Sequence, residues 1–276
     1  MLQTKDLTIR FGGHVAVNAV SCAFAPGTLT AIVGPNGAGK TTYFNLISGQ
    51  LKASSGTVLL DGQDLSSLGV SARTRAGLGR AFQLTNLFPN LSVFENVRLA
   101  VQATRRGAHR RGLNLWSIWS DHGALLRRTE EILATVSMQD KQDATVASLP
   151  HGDQRKLEVA LLMALESRVF MFDEPTAGMS VDEAPVILNL IRSLKNDPTK
   201  TILLVEHKMD VVRELADRII VLHNGALVAD GEPATVIASK VVQEAYLGAS
   251  SEDASAQVDA PAQPGPPPQG GRRQTS

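Results

Sequence analysis

Gly34-Pro35-Asn36-Gly37-Ala38-Gly39-Lys40-Thr41 decides the fold. The stretch fits G-x-x-x-x-G-K-[S/T] at every specified position, and its flanks have the character that pattern requires. Before it lies Thr28–Val33 (TLTAIV), a short continuous apolar run typical of a strand buried on both faces. After it, Thr41 to Leu51 carries a helical pattern that stops near Gly49. Strand, glycine-rich turn and helix start make a cradle for phosphate. The glycines let backbone N–H groups turn inward with no Cβ in the way, and the helix adds the positive end of its dipole. In that cradle Lys40 reaches the β- and γ-phosphates, the Thr41 hydroxyl ligates Mg²⁺, and Thr42 hydrogen-bonds the α-phosphate. The segment Gly34–Thr42 is therefore predicted to hold a nucleotide.

A second stretch supplies carboxylates. In Arg168-Val169-Phe170-Met171-Phe172-Asp173-Glu174 the apolar residues bury a strand, and two acids emerge at its carboxyl end, where open α/β sheets place their ligands. Asp173 is the candidate to hold Mg²⁺ through water, and Glu174 is placed to polarise an attacking water as general base. Thr201 to Val205 is another buried-strand run, with the apolar helix Ala184 to Leu194 between. Leu7 to Ile9 and Val15 to Phe24, around Gly12-Gly13, read as a β-hairpin or two short strands. Thr57 to Leu60 with Asp61-Gly62 reads as a strand and turn. Ile219 to Leu222, Asn224-Gly225 and Ala226 to Val228 make a closing hairpin. Ser92-Val93-Phe94-Glu95 has capping-box spacing and opens a helix through about Val101. The fold class is α/β.

Composition bounds the rest. With 276 residues, 43% of them hydrophobic, the chain is one large domain or a domain with a subdomain. Lys+Arg 27 balances Asp+Glu 27, so no global basic field exists to hold a nucleic-acid backbone, and no nucleic-acid partner is expected. A single cysteine, Cys22, excludes a disulfide scaffold and suits a reducing cytoplasm. The start has no charged-then-apolar signal pattern, and no apolar run approaches the roughly 20 residues that cross a bilayer. Arg98 to Ala164 reads as an inserted helical subdomain, with a basic segment (Arg105, Arg106, His109, Arg110, Arg111), Trp116 and Trp119, and a helical pattern from about Leu125 to Val136. After Gly248 the chain is rich in Ser, Ala, Gln, Gly and Pro, and Ala249–Ser276 is expected to be disordered.

The order of motifs resembles the ATP-binding subunit of ABC transporters. The phosphate loop is followed by Gln83 after a strand, then Leu149-Pro150-His151-Gly152-Asp153-Gln154, Asp173-Glu174-Pro175-Thr176 and His207. The resemblance covers essentially 1–248. Within the family, several stretches look like the larger ATPase subunit of branched-chain amino acid importers. These are Arg10-Phe11-Gly12-Gly13, the basic insertion, Gly152-Asp153-Gln154-Arg155-Lys156-Leu157-Glu158, Val205-Glu206-His207-Lys208-Met209 and Ala245-Tyr246-Leu247-Gly248.

The resemblance implies a P-loop NTPase cassette with an antiparallel β subdomain and an inserted helical subdomain, using ATP and Mg²⁺. It also implies a peripheral position on the cytoplasmic face of the inner membrane. Its partners would be a second cassette, alike or different, transmembrane permease subunits and, indirectly, a periplasmic solute-binding protein. Phe11 would stack on adenine, the alternative being an aromatic of an edge-strand core. Gln83 would sense Mg²⁺ and the attacking water, and His207 would contact the γ-phosphate. Pro150, His151, Gly152, Asp153 and Gln154 would face the nucleotide held by the opposite subunit.

Ser180 stands where the family commonly has aspartate, and Pro150 where it typically has serine. Either the ATP site completed by this loop is weakened, or the backbone donors suffice; the second is favoured. Urea or amide import, lipopolysaccharide export, a non-hydrolysing ATP switch and a soluble ABC ATPase of DNA repair or translation stay open as alternatives.

Overall fold

The computed structural model describes residues 1–81, 87–108 and 115–244. Its chain opens with a hairpin, β1 (Leu2–Phe11) and β2 (His14–Phe24), paired from Leu2↔Phe24 to Phe11↔His14. Gly12 at the tip has φ 58, a left-handed conformation that glycine adopts without strain. β3 (Leu29–Val33) follows, then the phosphate loop and α1 (Lys40–Ser48), which ends at Gly49 with φ 82. β4 (Ser55–Leu60) and β5 (Gln63–Asp64) return to the hairpin, so the first sheet is antiparallel in the order β2-β1-β4-β5. α2 (Val70–Arg75) leads to β6 (Leu78–Ala81).

Three helices come between β6 and the next strand: α3 (Val93–Ala108), α4 (Leu115–Thr135) and α5 (His151–Ala164). Then come β7 (Val169–Asp173), α6 (Ala184–Leu194), β8 (Thr201–Val205) and α7 (Met209–Leu215). The described chain ends with β9 (Arg218–His223), β10 (Ala226–Gly231) and α8 (Pro233–Ala238), followed by a short helical stretch over 240–244. The second sheet has six strands in the order β10-β9-β3-β8-β7-β6, parallel throughout except for the antiparallel β9–β10 edge.

The continuous apolar runs have a plain cause: both faces of this sheet are covered. Along β7, Phe170 and Phe172 enter a core with Val97, Ile132, Leu157, Ala160, Ile187 and Ile191 from the helices. Val169 and Met171, pointing the other way, enter a core with α1 and the antiparallel sheet, where Phe24, Phe44 and Ile47 lie. β8 divides likewise, Ile202 and Leu204 to the first core and Leu203 and Val205 to the second.

The capping box forms as its spacing predicts: Ser92 N–H donates to Glu95 Oε2 at 3.1 Å, and Glu95 N–H donates to Ser92 Oγ at 3.1 Å. Two helix bounds differ from expectation. α3 continues past Val101 to Ala108, because no proline or glycine intervenes before Gly107. α4 starts at Leu115 instead of Leu125, and so includes Trp116 and Trp119. Gly123 within it resembles a stop in the sequence, but a mid-helix glycine costs only about 1 kcal/mol, which packing overrides. Gln83, the residues His109 to Arg111, the segment Ala245 to Gly248 and the expected tail lie outside the described residues. Among the described residues no helix is long and apolar enough to cross a membrane.

Candidate functional site

The phosphate loop leaves β3 at the carboxyl edge of the parallel sheet. Gly34 has φ 151 and Gly39 φ 93, and a Cβ on either would collide with backbone, the Leu222 carbonyl oxygen at Gly34 and that of Ala16 at Gly39. The loop thus threads between the end of β9 and β2, where only glycine fits. The β9–β10 turn ties it down. Asn224 and Gly225, φ 47 and 75, form the predicted Asn-Gly turn, and Gly225 N–H donates to Ala38 O at 3.1 Å while its carbonyl accepts from Asn18 N–H at 2.8 Å.

Gly39 at the N-cap of α1 brings no side-chain cap, and the first turn holds no acidic residue, which leaves the leading N–H groups and the dipole to an anion. Lys40 Nζ donates to the carbonyls of Gly34 at 2.7 Å and Pro35 at 2.9 Å, spanning the loop it belongs to. Burial lowers its pKa from the usual lysine value, while the nearby Glu174 and Asp173 carboxylates act in the opposite direction. Asn36, Gly37 and Thr41 are exposed, Gly39, Lys40 and Thr42 half-buried, and Gly34, Pro35 and Ala38 buried.

Asp173 and Glu174 leave the end of β7 as expected, but with different surroundings. The Asp173 side chain is only 10% exposed and its Oδ2 accepts from Arg80 Nη2 at 2.7 Å. Burial raises its carboxyl above the usual range, with the Arg80 guanidinium pulling the other way. Glu174 adopts φ 47, a left-handed conformation uncommon outside glycine, and its N–H donates to Val205 O at 2.9 Å. This aims its side chain toward the end of β8, where His207 Nδ1 lies 3.7 Å from Glu174 Oε1. Backbone strain of this kind concentrates at functional positions. The structure therefore brings together the phosphate loop, Lys40, Asp173, Glu174 and His207. Phe11, at the exposed tip of the hairpin, is 51% accessible and so belongs to no core.

The segment Pro150–Gln154 opens α5. Pro150 is its N-cap, φ −56 and ψ 155, and its carbonyl accepts from the N–H groups of Asp153 and Gln154, both at 3.1 Å. His151 is exposed and Gly152 buried, with Glu183 packed so close that a Cβ at Gly152 would sit 3.0 Å from Glu183 Oε1. Asp153 is 6% exposed and held from within the chain, by Lys141 Nζ and, at 3.2 Å, by Lys156 Nζ. Gln154 Nε2 donates to Leu149 O at 3.0 Å. Among the described residues no hydrogen bond joins Pro150–Gln154 to the phosphate loop of the same chain.

Sequence reasoning missed three contributors: Arg80, Lys141, and the Ser180–Glu183 pair, in which Ser180 Oγ and N–H both bond Glu183 Oε2, at 3.1 and 3.2 Å. Ser180-x-x-Glu183 has capping-box spacing, and an arginine inside the apolar strand Leu78-Gly79-Arg80-Ala81 is out of place unless paired. Those two patterns were the signals for Arg80 and for the Ser180–Glu183 pair; no sequence pattern marked Lys141.

Comparison with known proteins agrees with this geometry. Residues 17–177 match the ABC transporter family model. The chain is 36% identical over 249 residues to the high-affinity branched-chain amino acid transport ATP-binding protein LivG of Escherichia coli K12, covering 90% of this chain and 98% of LivG. It is 33% identical over 249 residues to the corresponding protein BraF of Pseudomonas aeruginosa, at the same coverage of 90% and 98%. Among solved structures, the ADP conformation of MJ1267, an ATP-binding cassette of an ABC transporter, superposes with TM-score 0.74 at 26% identity, covering 90% of this chain and 98% of that one. The chain belongs to the ABC transporter family and is one of its nucleotide-binding ATPase cassettes.

Proposed function

We propose that this chain is the ATPase subunit that powers import of branched-chain or related amino acids through separate permease subunits at the cytoplasmic face of the inner membrane. The carrying observation is the near full-length likeness to LivG and BraF, whose names state that transport.

In this reading Gly34 to Thr42 cradle the ATP phosphates, and Lys40 exchanges the Gly34 and Pro35 carbonyls for phosphate oxygens. Phe11, accessible at the hairpin tip, stacks on adenine. Mg²⁺ suits the donor set: this ion takes one or two carboxylates plus phosphate and water rather than an all-protein cage, and the Asp173 carboxylate lies near enough to the phosphate loop to act on Lys40. Asp173, Thr41 and Gln83 would hold it, and it would offset charge on the β- and γ-phosphates. Glu174 takes the proton of the attacking water, and His207 beside it holds that water and the γ-phosphate. Pro150 to Gln154 serve the nucleotide of the opposing subunit. The N–H groups of His151 and Gly152 at the helix start are the donors, and Asp153 and Gln154 fix the shape of that start through Lys141, Lys156 and Leu149. The elements α3 to α5 form the helical subdomain, about 98–164, of a cassette spanning 1–248, with 249–276 as a tail.

Pro150 removes the hydroxyl that serine offers at this position, yet its fixed φ suits the helix entry. Pro150→Ser is expected to leave transport within a few-fold. A tenfold or larger rise in the ATPase rate of the assembled complex would show that the trans half-site is thinned.

The proposal as a whole is tested by purification from membranes and reconstitution. The expected result is co-purification with multi-span subunits and ATP-dependent uptake of labelled leucine into vesicles. Uptake of urea or short amides without leucine, or a cassette that never accompanies a membrane protein, would overturn it.

A further inference from the structure

Arg80 is the most heavily engaged charged side chain near the site, and nucleotide binding and hydrolysis as derived so far give it no part. It stands on β6 opposite Met171 of β7, two residues before Asp173. Its Nη2 donates to Asp173 Oδ2 at 2.7 Å. Its Nη1 donates to three acceptors at the C-terminal end of α1: Asn45 Oδ1 at 2.5 Å, Ser48 Oγ at 3.1 Å and Gln50 Oε1 at 2.8 Å. The guanidinium also lies 4.9 Å from the centroid of the Phe44 ring on the same helix. Both partners of the ion pair are nearly buried, the side chains 8% and 10% exposed. One planar group thus joins the helix that opens at the phosphate loop to the strand that ends in the acidic pair.

We propose that Arg80 is a positioning residue for the Mg²⁺ site: anchored on α1, it holds the Asp173 carboxylate through one oxygen and leaves the other for the ion's water shell. This rests on the reading of Asp173 as the Mg²⁺ carboxylate. A carboxylate on a free side chain samples several rotamers, whereas one bonded to a fixed guanidinium keeps one. Lysine would not do the same. A point charge on a flexible stem can pair with Asp173 but has no second nitrogen to stay on the α1 acceptors at the same time. Partners that orient direct metal ligands are typically worth about 10–100-fold in metal affinity, and because Asp173 acts through water the low end of that range is expected. Ser48, Gln50 and Arg80 also line a cavity of about 380 Å³ between α2, β6 and α5. Arg80 itself borders this space, so water can occupy the volume left when the arginine is shortened, and the variants are expected to fold.

The experiment titrates Mg²⁺ into the full chain with a fluorescent ATP analogue, following binding, not turnover, beside a thermal melt. For Arg80→Met the expected result is nucleotide affinity in EDTA within about threefold of wild type, and a Mg²⁺ half-saturation raised about tenfold or more. Arg80→Lys is expected to shift it less. The double variant Ser48→Ala/Gln50→Leu cuts two anchors but spares the ion pair, and is expected to shift it about threefold with a near-native melt. It decides the matter should Arg80→Met not fold. Unchanged Mg²⁺ half-saturation in the folded variants, whatever their melting temperature, would overturn the proposal and leave Arg80 a structural residue. If Asp173→Asn also leaves Mg²⁺ dependence intact, the reading of Asp173 falls and the proposal falls with it, an outcome distinguishable from the first.

Discussion

Glu174→Gln is expected to bind Mg-ATP with near wild-type affinity and to hydrolyse it at least about 10²-fold more slowly, the lower end of what a positioned general base contributes. The amide keeps the shape of the side chain and loses only its ability to take a proton. Two backbone features place the residue independently of its charge: the left-handed φ of 47 and the N–H bond to Val205 O at 2.9 Å. Binding and turnover therefore separate. If two cassettes close over ATP as proposed, blocking hydrolysis leaves that pair closed, so gel filtration in ATP is expected to show a dimer that wild type shows only transiently. A non-hydrolysing ATP switch predicts no difference between the two proteins in either measurement. His207, 3.7 Å from Glu174, is expected to follow it: His207→Ala loses turnover with binding retained.

Lys40→Ala is expected to act one step earlier, on binding itself. The Lys40 ammonium is the only described cation hydrogen-bonded to the phosphate loop, through Gly34 O and Pro35 O. A hydrogen bond to a charged group contributes about 1.5–3 kcal/mol, which corresponds to roughly 10–150-fold in affinity for each hydrogen bond to phosphate that the variant cannot make. The acidic residues nearby add to the effect, because without Lys40 the phosphates approach Asp173 and Glu174 unscreened. The measurement is a thermal shift. Ligand that binds only the folded state raises the melting temperature, so millimolar ATP is expected to stabilise wild type and leave Lys40→Ala unmoved. Lys40→Arg is expected not to rescue, since the broader guanidinium does not fit a donor that reaches two carbonyls within one tight loop. Stabilisation of Lys40→Ala equal to wild type would remove the lysine from the site.

Much of the fold was legible because its causes are local. A glycine-rich loop motif, a short continuous apolar run, an Asn-Gly turn and a Ser-x-x-Glu cap are each written in consecutive residues, although the backbones that crowd Gly34 and Gly39, at Leu222 and Ala16, come from elsewhere in the chain. Where local signals conflict, sequence and structure part. Gly123 resembles the end of a loop but lies within α4, since burial of Leu125, Ile132 and Leu133 along one face outweighs the cost of one glycine. The partners of Asp153, Lys141 and Lys156, were likewise not visible in the sequence before the chain folded.

The sequence by itself determined the phosphate loop, the strands on either side of it and the identity of the two acids at the end of β7, because each is a requirement of consecutive backbone. Only the tertiary structure decided which partner each acid meets. Arg80 and Asp173 are 93 residues apart in the chain, and Glu174 and His207 are separated by a helix and a strand. What unites them is parallel pairing of β6 with β7 and of β7 with β8, which aligns the carboxyl ends of three strands on one edge. Any of several arginines or histidines would satisfy the charge; register and strand order select one, and these depend on how both faces of the sheet are packed.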